Sequence, residues 1–124
     1  SQIYSPDIVV VVDPALLKMV DVTEGLKPGG ILILNTTSGP GGFEFSRRFK
    51  VATVDAAAIS IKHKLLVGGI PVINTPILGV IPRVTDVVTI ASVESAIKDQ
   101  WKGEAGVRNA LAAREAYDLT EVNR

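Results

Sequence analysis

Hydrophobic and polar positions alternate in blocks along this chain rather than residue by residue. Residues 7–12 are an aliphatic run after an acidic start, and residues 31–34 form a second, uninterrupted one. Such runs read as strands buried on both faces, the usual state of parallel strands covered by helices. Residues 51–54 read as a third, short strand and residues 70–73 as a fourth. Pro71 is tolerable there only near the strand start or on an edge. The blocks between them carry helical spacing. Residues 14–20 would bury Leu16, Leu17 and Val20. Residues 56–66 would bury Ala57, Ala58, Ile61 and Leu65. A helix opening at Pro76 runs through Ile77, Leu78, Val80 and Ile81 until Pro82 kinks or ends it. A further pattern starts at Ser92 and Ser95, with Val93, Ala96, Ile97 and Trp101 on its apolar face. Residues 104–117 come next, with Val107, Leu111 and Ala112 inward. Residues 86–90 fit a short strand or a link, and residues 118–124 read as a polar tail.

Punctuation residues support these boundaries. Asp13 and Pro14 suit an N-cap and a first helical residue, and Asp55 suits the N-cap of the next helix. Lys27-Pro28-Gly29-Gly30 is a strong turn signal feeding the second strand. Gly68-Gly69 stops one helix and Gly103 another.

The 124 residues are enough for one domain with a real core. Hydrophobic residues reach 47% while aromatics stay at 5%, which favours parallel α/β over an all-β sandwich. Thirteen basic residues balance 13 acidic ones, and no Lys/Arg-rich run suggests a nucleic-acid partner. Without cysteine there is no disulfide and no thiolate site for zinc or an iron–sulfur cluster. A cytoplasmic location is compatible with that. No apolar run approaches the ~20 residues that span a bilayer, and no secretory signal opens the chain, so no membrane partner is expected. The chain starts without Met, and residues 1–6 lead almost at once into a core strand, as in the second part of something larger.

The stretch from Gly29 to Gly42 organises the rest. Its buried strand ends abruptly in Asn35, Thr36, Thr37 and Ser38, then Gly39, Pro40, Gly41 and Gly42. Open α/β sheets bind ligands beyond the carboxyl ends of their strands, so this polar, flexible loop is the first candidate site. Its alternative is an ordinary mobile loop. The strand at residues 70–73 ends similarly, in Asn74-Thr75-Pro76. Amides, hydroxyls and backbone N–H groups suit a neutral polar or phosphate-bearing ligand. Arg47 and Arg48 could meet an anion near the loop, but solvated surface explains them more simply. His63, the single histidine, lies between Lys62 and Lys64 near a helix C-terminus, where a cation suits the macrodipole. Asp7, Asp13 and Asp55 at strand ends read as caps. There is no Ser/His/Asp spacing, no histidine pair for a metal and no Gly-x-Gly-x-x-Gly after a strand. These residues suit binding rather than bond-breaking by this chain alone.

Three segments in order carry a family resemblance. They are Pro6-Asp7-Ile8-Val9-Val10-Val11-Val12-Asp13-Pro14-Ala15-Leu16-Leu17, Gly25-Leu26-Lys27-Pro28-Gly29-Gly30-Ile31-Leu32-Ile33-Leu34-Asn35-Thr36, and Pro71-Val72-Ile73-Asn74-Thr75-Pro76-Ile77-Leu78-Gly79. With Ala52-Thr53-Val54-Asp55-Ala56 between the last two, the chain resembles the gamma subunit, or gamma domain, of 2-oxoacid:ferredoxin oxidoreductases of the pyruvate synthase type. The resemblance covers roughly residues 4–100. It implies a three-layer, Rossmann-like α/β domain with a mostly parallel sheet and helices on both faces. It implies a subunit outside the catalytic core of an enzyme that oxidatively decarboxylates a 2-oxoacid, pyruvate first, to an acyl-coenzyme A. Thiamine diphosphate and the iron–sulfur clusters would then sit on other subunits, with no cofactor bound by this chain alone. Its partners would be alpha, beta and ferredoxin-like delta subunits, with ferredoxin as the electron acceptor. The gamma part is associated with assembly and with the coenzyme A side of the reaction, which gives Asn35, Thr36, Asn74 and Thr75 a ligand or interface role. The family domain normally begins with another ~60 residues holding a Gly-rich strand–loop–helix, the size of a βαβ unit. By that measure residues 1–124 are one α/β domain forming the C-terminal two-thirds of a larger gamma domain, with a sheet edge or apolar helix face left exposed.

Two other readings compete. Leu26-Lys27-Pro28-Gly29-Gly30-Ile31-Leu32-Ile33 also looks like the turn and strand before the active site of 2-hydroxyacid dehydrogenases, and like a late strand of class I methyltransferases. Both want an upstream Gly-rich nucleotide loop that this chain lacks. The other is a non-enzymatic interaction domain whose apolar faces dock a larger partner. Its melting temperature would not respond to coenzyme A or an adenine dinucleotide.

Overall fold

The aliphatic runs form strands where the pattern places them. In the computed structural model, which describes residues 7–123, strand β1 is Ile8–Val11 and β2 is Ile31–Asn35. The expected lead-in at residues 1–6 lies outside the described residues. The chain divides into two compact units, residues up to 53 together with those from 121 on, and residues 54–120.

In the first unit β1 and β2 pair in parallel, with Ile8 opposite Ile31 through Val11 opposite Leu34. Leu32, Ile33 and Leu34 are all fully buried, so β2 is covered on both faces. The turn before it is type II. Gly30 N–H donates to the Lys27 carbonyl at 2.8 Å, and Gly29 takes the left-handed position with φ +78°. Parallel strands need a crossover, and this one holds only a short helix, α1, Leu16–Met19. No residue of α1 is buried. Leu16 and Val20 are exposed, against expectation, and Leu17 alone packs on the core. One turn of helix is too short to present an apolar stripe. Asp13 accepts the Ala15 N–H at 3.0 Å, an Asx turn, while Ala15 is the N-cap.

Strand β3, Lys50–Val54, lies next to β2. The expected polar tail is partly a strand. β6, Glu121–Val122, pairs antiparallel with β3 and completes a four-stranded sheet of order β1-β2-β3-β6. Asn123 fixes it in place. Its amide oxygen accepts the Val51 N–H at 2.7 Å, and its nitrogen donates to the carbonyls of Ser46 at 2.7 Å and Phe49 at 3.0 Å. Val11, Leu26, Leu32, Leu34, Phe49 and Val51 form the core of this unit.

The second unit is helical. Helix α2, Ala56–Lys62, starts at the expected cap, where Asp55 accepts the Ala58 N–H at 3.0 Å. It buries Ala56, Ile59 and Ser60, while Ala58 and Ile61 are exposed. Leu65 is buried as expected, though beyond the end of the helix, and Ala57 is half-buried; three consecutive alanines carry little phase information, so the spacing misplaces the rest of the face. The expected fourth strand is also corrected. Leu66–Val67 (β4) and Ile70–Pro71 (β5) form a separate antiparallel hairpin. Pro71 has no N–H with which to extend a ladder. Asn74 and Thr75 therefore open helix α3, Asn74–Val84, instead of ending a strand. That helix continues through Pro82 and stops within a turn of it. Residues 86–89 link it to α4, Ile90–Gln100. Thr89 and Ser92 close a capping box, with Thr89 Oγ1 accepting the Ser92 N–H at 3.1 Å and the Thr89 N–H donating to Ser92 Oγ at 3.2 Å. Helix α5, Gly103–Leu119, buries Gly106, Ala110, Ala112, Ala113 and Ala116. Val107 and Leu111, expected inward, are half exposed. Strands and helices together make a mixed α/β protein whose main sheet is mostly parallel.

Candidate functional site

The loop after β2 is built on Asn35, which is 8% exposed. Its side-chain amide donates to the Val12 carbonyl at 2.8 Å and so ties together the carboxyl ends of the two parallel strands. Asn35 is thus chiefly a positioning residue for the loop that leaves β2. Thr36 is half-buried, and its hydroxyl accepts the Ser38 N–H at 3.2 Å. Thr37, Ser38, Gly41 and Gly42 are exposed. Pro40–Gly42 and Glu44–Arg47 then form two short 3-10 turns, with the Phe43 and Phe45 rings stacked at 5.3 Å.

Gly41 and Gly42 are the informative pair. Neither has a positive φ, and a Cβ on either would meet nothing within 4 Å. Neither backbone conformation nor packing calls for glycine there, and the missing side chains leave bare, approachable backbone. The two glycines line a depression of about 430 Å³ with Phe43, Glu44, Ser46 and Arg47. A neighbouring one of about 330 Å³ is bounded by Arg47, Arg48 and Lys50. Arg47 and Arg48 are exposed, as expected of solvated surface, with Arg48 lying 5.0 Å above the Phe49 ring. The loop depression holds one carboxylate, Glu44, and one cation, Arg47, while the charged residues of the neighbouring one are all cations.

Asn74 and Thr75 belong to the second unit, Asn35 and Thr36 to the first, and each pair has its own surroundings. Asn74 is exposed at the start of α3. Thr75, 2% exposed, borders a depression with Trp101 and Asn109.

His63 has a structural partner. Its Nε2 lies 2.8 Å from Glu115 Oε1, and Lys62 Nζ reaches the same oxygen at 3.0 Å. Burial pushes the Glu115 carboxyl up. The hydrogen bonds and charges of His63 and Lys62 outweigh it and hold the group below its ordinary value of 4.5. A depressed folded value means stabilisation that is complete above 4.5 and lost as pH falls through the folded value. Glu115→Gln should therefore lower the urea midpoint at neutral pH, and the gap to the unmodified chain should close as pH falls below 4.5. A gap that stays constant from pH 7 to pH 3 would show that the pair contributes nothing through ionisation.

Among the described residues, no helix is long and apolar enough to cross a membrane. Comparison with known proteins adds the family context. Residues 1–119 match the family model "Pyruvate ferredoxin/flavodoxin oxidoreductase". The chain is 48% identical to the pyruvate/ketoisovalerate oxidoreductases common subunit gamma of Pyrococcus furiosus, over 98% of this chain and 65% of that protein. It is 41% identical to pyruvate synthase subunit PorC of Methanocaldococcus jannaschii, over 94% of this chain and 61% of the other. The crystal structure of pyruvate oxidoreductase subunit PORC from Thermotoga maritima superposes with a TM-score of 0.78 at 33% identity, covering 98% of this chain and 67% of that one. The chain thus spans somewhat less than two-thirds of the length of these curated relatives.

Proposed function

The chain belongs to the pyruvate ferredoxin/flavodoxin oxidoreductase family, and from that premise we propose that it serves as the gamma part of a thiamine-diphosphate-dependent 2-oxoacid:ferredoxin oxidoreductase. The complex would oxidatively decarboxylate a 2-oxoacid, pyruvate first, release carbon dioxide, form an acyl-coenzyme A and pass the electrons to ferredoxin. Alpha, beta and ferredoxin-like delta subunits are the proposed partners, carrying thiamine diphosphate and the iron–sulfur clusters, in the cytoplasm. The dehydrogenase and methyltransferase readings drop out, because one family accounts for residues 1–119. Relatives named as a gamma subunit common to pyruvate and ketoisovalerate oxidoreductases support a further point. A subunit shared between two 2-oxoacids does not choose between them, so this chain's work lies in assembly and on the coenzyme A side.

The observation that carries the coenzyme A assignment is the bare backbone at Gly41 and Gly42 beside Arg47. Coenzyme A would supply the thiol that receives the acyl group. This chain's residues would only hold and orient it. Thr36, the outward member of its pair, is the proposed polar contact, and Asn74, exposed at the start of α3 in the other unit, has the proposed interface role. Asn35, buried, holds the backbone behind Thr36 through its bond to the Val12 carbonyl, and Thr75 is buried at the start of α3. The test uses the assembled complex, purified with its thiamine-binding and iron–sulfur subunits. Thr36→Val should raise KM for coenzyme A about tenfold, the equivalent of one lost hydrogen bond, and leave KM for pyruvate unchanged. Unchanged KM for coenzyme A in that variant would remove the assigned contact. A chain that purifies without those subunits would remove the gamma reading itself.

A further inference from the structure

The second unit carries an apolar surface that its own packing does not use. The β4–β5 hairpin is closed by Gly68 and Gly69, with φ +57° and +78°. A two-residue loop with both φ positive has the type I′ geometry that matches strand twist, so the turn shapes the hairpin locally. Yet the hairpin is apolar. Val67 and Ile70 face each other across it and are 72% and 70% exposed. Trp101, 41% exposed, stands between two depressions. One it shares with Leu66 and Val67, the other with Leu78 and Val93. Scattered exposed aliphatics are ordinary on a protein surface. A contiguous set with a tryptophan in the middle marks a protein-interaction site.

Charge selects the partner. The charged residues lining the depression at the hairpin are Lys64 and Arg108, both cations, and no carboxylate lines either depression. Arg108 meets Glu104 only at 3.5 Å on the exposed side of α5, and Lys64 makes no ion pair among the described residues. A two-fold interface with a second copy would set this patch against itself, cation against cation. A segment bearing carboxylates beside apolar side chains would be complementary.

We propose that the β4–β5 hairpin and Trp101 dock an acidic, apolar segment of a different subunit of the oxidoreductase complex, an inference that rests on the gamma-subunit reading above. The test measures association of the full chain with purified partner subunits, by native mass and by titration at low and high salt. The double variant Val67→Asp with Ile70→Asp removes the apolar contact and adds repulsion towards carboxylates. It should weaken association by about 30-fold or more, the scale of an interface hot spot. Its melting temperature alone should stay within a few degrees of the unmodified chain, because both residues are solvent-exposed. Lys64→Glu should weaken association several-fold at low salt, and the difference should shrink at high salt. Unmodified affinity in the double variant overturns the inference while the gamma reading stands. No association of the unmodified chain with those subunits overturns both. A double variant that loses only self-association, with subunit assembly intact, makes a second copy the occupant and overturns the proposed partner.

Discussion

Replacing Gly79 with alanine is expected to destabilise the protein by about 3 kcal/mol or more, the upper end for overpacking, read as a fall in urea midpoint and melting temperature. A Cβ at Gly79 would lie 1.9 Å from the Ala113 carbonyl oxygen and 2.7 Å from its carbon. Both are backbone atoms, so no side-chain rotation relieves the clash, and α3 and α5 would have to move apart. Other contacts hold them in place. Arg83 of α3 donates to the Tyr117 carbonyl of α5 at 2.6 Å and lies 5.7 Å from the Tyr117 ring. The sign of the effect is diagnostic. Glycine to alanine inside a helix normally stabilises by about 0.5–1 kcal/mol, so a clash must first overcome that gain. Gly41→Ala, where the new methyl meets nothing, is the matched control and should change stability little. A Gly79→Ala protein at least as stable as the unmodified one would mean the helices do not approach this closely in solution.

That close approach also explains which parts of the fold could be read from the sequence. Continuous aliphatic runs located β1, β2 and β3; β2 and β3 are buried as such runs suggest, whereas β1 is not covered on both faces, its Val10 being 43% exposed. Lys27-Pro28-Gly29-Gly30 gave its turn and Asp55 its cap, since those residue types act through their nearest backbone neighbours. Of the α5 face only Ala112 was legible. The inner surface of that helix is alanine and glycine, chosen for backbone proximity, while Val107 and Leu111 point outward. Hydrophobic spacing assumes that the largest apolar residues face the core, and here the assumption fails. The hairpin misled for the same reason, because its exposed Leu66, Val67 and Ile70 have the composition of a core strand. In the candidate site, Asn35 and Thr36 stood out as polar residues at a strand end. The bond from Asn35 to Val12 depends on which strand lies alongside, and local sequence does not encode that. Asn74 and Thr75 looked equivalent to them only because Ile70–Pro71 was extended into a full strand.

Asn123 is the residue the sequence hid most completely, and Asn123→Ala is expected to cost about 3 kcal/mol, from three partly buried hydrogen bonds to backbone groups at about 1 kcal/mol each. In a polar stretch at the end of the chain it has no local signature. In the fold it bonds to three backbone groups, at Val51, Ser46 and Phe49, spread across β3 and the turn before it. Val51 is fully buried, so its N–H has no solvent to turn to once the amide oxygen is gone. With the clamp removed, the two-residue strand β6 has little else to hold it against β3, because so short a ladder contributes few hydrogen bonds of its own. The loss should therefore include the sheet edge as well as the side chain. Asn123→Asp separates the two halves of the clamp. It keeps an acceptor for the Val51 N–H but loses both donors, and should fall between alanine and the unmodified chain. Amide hydrogen exchange at Val51 gives a local readout beside the global midpoint. Val51 should exchange faster in the alanine variant than in the aspartate one. Equal protection of Val51 in all three proteins would show that β6 is held by its ladder alone and that the Asn123 amide does not close the sheet.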